Sequence, residues 1–123
     1  MAYDDDNIFA RILRGEIPSR KVYEDEHALA FEDINPQAPV HVLVIPKGRY
    51  VSMADFGTTA SPAEITGFFR AVATVAAQLG LDRPGYRMLA NHGDAAGQEV
   101  PHFHVHLFGG RKLGPMLTRV QAD

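Results

Sequence analysis

Apolar positions along the chain fall into segments of two periods. Ile8, Phe9, Ile12 and Leu13 recur at helical spacing, with Asp6 or Asn7 as a cap before them and Gly15 as a stop, which predicts a short first helix. Lys21 to Glu24 and Ala28 to Glu32 flank the acidic turn Asp25, Glu26 and His27 and read as a hairpin. After the two-proline loop Asn35 to Pro39 comes Val40 to Ile45, a β-branched run stopped by Pro46, Lys47 and Gly48 and the best candidate for a central strand. Val40, Val42 and Val44 then share one face, and His41 intrudes on the other beside Leu43 and Ile45.

Ser61-Pro62-Ala63-Glu64 combines a hydroxyl cap, a proline at the first helical position and a glutamate three residues after the cap. The stripe Ile65, Phe68, Phe69, Val72, Val75, Ala76 and Leu79 follows, ended by Gly80. A helix of about 18 residues spans roughly 27 Å and covers one face of a small sheet. Tyr86 to Asn91 and Val100 to Phe108 are the last two strands, joined by the glycine-containing loop His92 to Glu99. The pattern predicts an α+β fold: an antiparallel sheet of about five strands, one long helix and one short one, in a single domain. Residues 1–6 and about 114–123 lack periodicity and are expected to be flexible tails.

Composition narrows the function classes. The chain has 123 residues, 12 basic against 15 acidic, and the basic residues are scattered. That argues against a nucleic-acid polymer as partner, since such a surface works by neutralising many phosphates. Cysteine is absent, which removes disulfides and thiolate zinc sites. The acidic start is unlike a signal peptide, and no run approaches the ~20 apolar residues needed to span a bilayer. The expectation is a cytoplasmic protein with no membrane partner.

In Val100-Pro101-His102-Phe103-His104-Val105-His106-Leu107-Phe108 polar and apolar residues alternate, which places three imidazoles on one face of a strand with the other face buried. At about 6.7 Å between next-but-one residues the row spans roughly 13 Å, the footprint of a phosphate and its substituents. Three readings are open. One is a solvated strand face; one is a metal site, because His at i and i+2 presents two nitrogens to zinc. The third is nucleophilic catalysis, with the central ring attacking phosphorus while its other nitrogen gives a proton to a fixed acceptor and its neighbours stabilise charge. On the pattern alone, His41 reads as a satisfied core histidine about as readily as anything else.

The run from His102 to Phe108 resembles the histidine-triad (HIT) superfamily, whose motif is His-φ-His-φ-His-φ-φ with φ apolar. The resemblance extends through Gly15-Glu16-Ile17-Pro18, Gln37-Ala38-Pro39, Val44-Ile45-Pro46-Lys47 and Gly97-Gln98 to Gly109-Gly110-Arg111. Gly109-Gly110-Arg111 and Gly15-Glu16-Ile17-Pro18 look like the Hint branch, which hydrolyses purine nucleoside phosphoramidates and aminoacyl-AMP species. Val100-Pro101 looks more like the Fhit-like branch, which cleaves dinucleoside polyphosphates. A binding or scaffolding module with vestigial activity is the further alternative.

The resemblance implies His104 as the nucleophile, His102 and His106 at the phosphate and in proton transfer, and His41 orienting the nucleophile. It implies Asp33 at the ribose hydroxyls, where the plain alternative is a turn residue. Ile8, Phe9, Ile12, Phe31 and Ile34 match the purine slot and read equally as core. Asn91, Gly97, Gln98 and Glu99 match the loop along the phosphate. A homodimer, a purine nucleotide substrate and no cofactor or metal are expected. Animal Hint proteins carry serine where this chain has Glu99, and the tryptophan some of them send into the partner's site is absent. His27 and His92 match nothing catalytic and are expected at the surface.

Overall fold

The computed structural model describes residues 2–118, so the far end of the expected C-terminal tail, 119–123, lies outside the described residues. The first helix, α1 (Ile8–Leu13), starts where Asn7 Oδ1 accepts the N–H groups of Phe9 and Ala10, both at 2.9 Å. That satisfies two of the donors a helix leaves open at its start. Strands β1 (Lys21–Glu24) and β2 (Ala28–Glu32) are joined by a turn that Asp25 closes, its Oδ1 accepting from His27 and Ala28. Strand β3 (Val40–Pro46) pairs with β2 on one side. On its other side lies β5 (Val105–Gly109), and β4 (Arg87–Leu89) forms the far edge. The sheet is antiparallel throughout, in the order β1-β2-β3-β5-β4.

The period-two pattern assigns side chains to two covered faces. Ala28, Ala30, Val42, Val44, Val105 and Leu107 pack under the long helix α3 (Pro62–Gln78), where the alanines let the helix approach. Leu29, Phe31, Leu43 and Ile45 pack on the opposite face with Phe9 and Ile12 of α1. Each such side chain contributes about 1.5–3 kcal/mol by leaving water, so α1, though only six residues long, is held by what it covers.

Helix α3 begins as its sequence dictates: Ser61 accepts the Glu64 N–H and Glu64 accepts the Ser61 N–H, with Pro62 first in the helix. It ends in a reciprocal pair of bonds, Leu81 N–H to the Ala76 carbonyl and Gly80 N–H to the Ala77 carbonyl, a closure that needs the φ of +72° at Gly80. Phe69, expected in the buried stripe, is instead 37% exposed at the edge of the helix's covered face.

A further helix, α2 (Met53–Thr59), precedes α3, and a single 3₁₀ turn, Asp94–Ala96, lies in the loop before the triad. The last strand is shorter than its alternating pattern: His102, Phe103 and His104 precede β5, because Pro101 has no N–H and the Phe103 N–H bonds the Tyr50 carbonyl at 2.7 Å instead of a ladder partner. His27 is half-buried, its ring lying over Gly67 of α3.

Candidate functional site

The three alternating histidines do share a face, yet that face is not solvated. His102 is fully buried and His104 is 7% exposed, because α1 and the N-terminal segment lie over them. Phe9 meets the His104 ring edge to face, with centroids 5.0 Å apart. Pairing of β3 with β5 puts His41 opposite Phe108 and Leu43 opposite His106, so His41 and His106 are diagonal neighbours on one face.

Hydrogen bonding fixes the proton on each ring. His104 Nδ1 lies 2.7 Å from the His102 carbonyl, which can only accept, so Nδ1 carries the proton and Nε2 holds a lone pair. That Nε2 has no protein partner among the described residues. His102 Nε2 lies 2.8 Å from the Pro46 carbonyl and donates to it; its Nδ1 therefore accepts from the Tyr3 hydroxyl at 2.6 Å. The Gln37 N–H donates to His41 Nδ1 at 3.1 Å, which leaves His41 Nε2–H to donate to His106 Nδ1 at 2.9 Å. His106 must then carry its own proton on Nε2. A lone pair on His104 and an N–H on His106 stand side by side, with ring centroids 5.1 Å apart.

Burial keeps these rings neutral. It pushes His102 down to about 4, against the opposing effect of the hydrogen bond to the Pro46 carbonyl. Burial, with His104 and His41 nearby, brings His106 to about 4 as well. Burial also lowers His104 and His41, and in His41 the Asp33 carboxylate opposes it. A neutral imidazole is the nucleophilic form.

His104, His106, His41 and Asp33 come together, with Asp33 Oδ2 3.4 Å from His41 Nε2 and Asp33 Oδ1 accepting from the Asn35 N–H. Asp33, His41 and His106 also offer ligand atoms within 4.8 Å of one another. His41 and His106 spend those atoms on each other, so an ion there displaces their mutual bond. His102 belongs to the cluster but keeps neither nitrogen free for a phosphate. Of the apolar candidates, Ile34 at 88% and Ile8 at 44% exposure are open to a ligand, whereas Phe9, Ile12 and Phe31 are buried in the core. A groove of about 680 Å³ runs along the Asp33 side, walled by Arg20, Asp33, Ile34, Pro39 and His41; His104 and His106 are not in its wall.

In the loop, Gln98 is a staple: its amide donates to the Val51 and Val100 carbonyls and accepts from the Gly93 N–H. Gly97 has φ +72° and open space where a Cβ would sit, so its backbone turn, not a close neighbour, requires glycine. Asn91 is half-buried and Glu99 exposed at the loop's ends. Tyr3, Gln37 and Pro46 complete the proton arrangement, a role the sequence pattern did not assign to them. Gln37 and Pro46 act through their backbones, and Tyr3 is a lone aromatic in an acidic stretch 99 residues from its partner.

A model of the HIT domain matches residues 14–113. The chain is 65% identical over 117 residues to an uncharacterized 13.2 kDa HIT-like protein of Azospirillum brasilense, covering 95% of this chain and 96% of that one. It is 43% identical over 114 residues to the purine nucleoside phosphoramidase of Escherichia coli (strain K12), covering 93% and 95%. Among solved structures, a HIT family hydrolase from Clostridium thermocellum superposes with a TM-score of 0.85 at 40% identity, over 94% of this chain and 99% of that one.

Proposed function

The chain belongs to the HIT domain family of hydrolases that act on nucleotides, and on that premise we propose that it cleaves purine nucleoside 5′-phosphoramidates to a nucleoside monophosphate and an amine. The observation that carries this reading is the pairing of a His104 Nε2 lone pair with the His106 Nε2–H. The 43% identity to a purine nucleoside phosphoramidase supports the choice of bond.

His104 Nε2 attacks phosphorus, the P–N bond breaks, and a nucleotidyl group remains on the ring. The cation so formed is stabilised through Nδ1–H by the His102 carbonyl. His106 donates its Nε2–H to a phosphoryl oxygen as charge develops there. The departing nitrogen takes a proton from solvent and leaves as a neutral amine; water then attacks phosphorus, its hydroxyl stays there and its proton returns to solvent, restoring neutral His104. The exposed Ile34 and Ile8 flank the base, and Asp33 accepts from the ribose hydroxyls.

A turnover assay on adenosine 5′-phosphoramidate, with a chelator present, tests the reading. AMP release by the intact protein and none by His104→Ala, which still binds AMP, is the expected result. No release by the intact protein sinks it, and release from a dinucleoside polyphosphate alone moves the bond to an anhydride. The homodimer is likewise a proposal, supported by β4 standing at the sheet edge with Tyr86 and Met88 exposed. Light scattering in solution decides it.

A further inference from the structure

We propose that Tyr3 is a positioning residue of the reaction, its hydroxyl holding His102 so that the His102 carbonyl fixes the tautomer of the nucleophile. The proposal rests on the reading of His104 as nucleophile. Its starting point is that residue 102 lies outside β5 and has no ladder bonds of its own. The backbone there is held by the Phe103 N–H on the Tyr50 carbonyl and by the His102 side chain, anchored at its two nitrogens by Pro46 and Tyr3. The Pro46 anchor is main chain and the Tyr3 anchor is not.

Without the hydroxyl, His102 Nδ1 becomes a buried acceptor with nothing to accept from, and the ring is drawn to turn or shift toward water. Because the same residue supplies the carbonyl that receives the His104 Nδ1–H, any such shift loosens the one contact that keeps the Nε2 lone pair free. The line of influence is Tyr3 to the His102 ring, the His102 carbonyl, His104 Nδ1 and finally Nε2. Tyr3 does not line the groove.

The N-terminal segment is built to hold this hydroxyl in place. The Arg49 guanidinium lies 5.1 Å from the centre of the Tyr3 ring, over its face. Its Nε and Nη2 each donate to an Asp5 carboxylate oxygen at 2.8 Å. One arginine thus clamps residues 3 and 5 together, a planar two-point grip that lysine does not reproduce. The Tyr3 ring also meets the His102 ring edge to face, centroids 5.5 Å apart.

Tyr3→Phe keeps the ring and its contact with Arg49 and removes only the hydroxyl. The expected result is a kcat about fivefold lower, with KM for adenosine 5′-phosphoramidate unchanged within about twofold. In the same variant, ¹⁵N chemical shifts of His104 move from a single Nδ1–H form toward a mixture of tautomers. Arg49→Ala, which leaves the hydroxyl but releases the clamp, shifts both readouts the same way and less far. Lowered thermal stability with an unaltered His104 spectrum and unaltered kcat per folded molecule overturns the proposal and leaves Tyr3 a packing residue. Should the intact protein fail to turn over the phosphoramidate, the functional reading falls, while the His104 spectra of the two proteins still decide the role of Tyr3.

Discussion

His41 and His106 are joined by one hydrogen bond, 2.9 Å from His41 Nε2 to His106 Nδ1, and it dictates which nitrogen of His106 faces a substrate with a proton. Removing His106 deletes a donor at the developing charge, so His106→Ala is expected to lower kcat about 10²–10³-fold. His41→Ala leaves the donor but frees its tautomer, for an expected loss of about tenfold in kcat with little change in KM. Steady-state kinetics on the two variants checks the order; a larger effect at residue 41 than at 106 contradicts this chain of protons.

Asp33 keeps one oxygen bonded to the Asn35 N–H, and the other turns toward His41 and the groove. A hydrogen bond to a charged group contributes about 1.5–3 kcal/mol. Asp33→Ala is therefore expected to raise KM for a ribonucleoside phosphoramidate by at least about tenfold, and far less for the 2′,3′-dideoxy substrate. Equal losses on both substrates reject the ribose contact.

The buried imidazoles set the response to acid. His102 and His106 titrate at about 4 in the fold against an ordinary 6.5. Between those values the unfolded chain binds more protons, so their contribution is fully present above pH 6.5 and declines as pH falls toward 4. The slope is about 1.4 kcal/mol per pH unit for each group. Urea melts at several pH values measure it. The acid limb of kcat is expected to fall below 6.5, since burial lowers His104 too; a midpoint at or above 6.5 contradicts a buried neutral nucleophile.

Gly67 sits under His27, and a methyl group there would run into the imidazole ring. Alanine in a helix is favoured over glycine by about 1 kcal/mol, whereas overpacking costs about 1–3 kcal/mol. Gly67→Ala is expected to destabilise the protein, and the same change in a His27→Ala background to stabilise it. Denaturant melts of the four proteins give the cycle; destabilisation in both backgrounds means the glycine has another reason.

What the sequence disclosed depended on how local the cause was. Helix α3 was legible because Ser61, Pro62, Glu64 and Gly80 carry its start and stop in their own chemistry. The faces of β2 and β3 followed from alternation, which also placed His41 correctly among Leu43 and Ile45. Helix α2 was missed because only Phe56 of its seven residues is buried, although Ser52 and Asp55 held the signal: the Asp55 carboxylate takes the Ser52 N–H. The alternation of residues 102–108 gave the faces correctly but not the end of the ladder, which a proline and a bond to Tyr50 decide. Nor did it give the depth of the histidines, since what lies over them comes from the other end of the chain.

The acceptor that holds the His104 proton is a peptide oxygen. Where a carboxylate does that work, one codon change abolishes it; every amino acid that might replace His102 brings the same carbonyl with it. Substitutions around His104 can move this acceptor but cannot erase it. Variation at residue 102 is thus expected to grade activity through position, and complete loss by a single exchange to be confined to the nucleophilic ring itself.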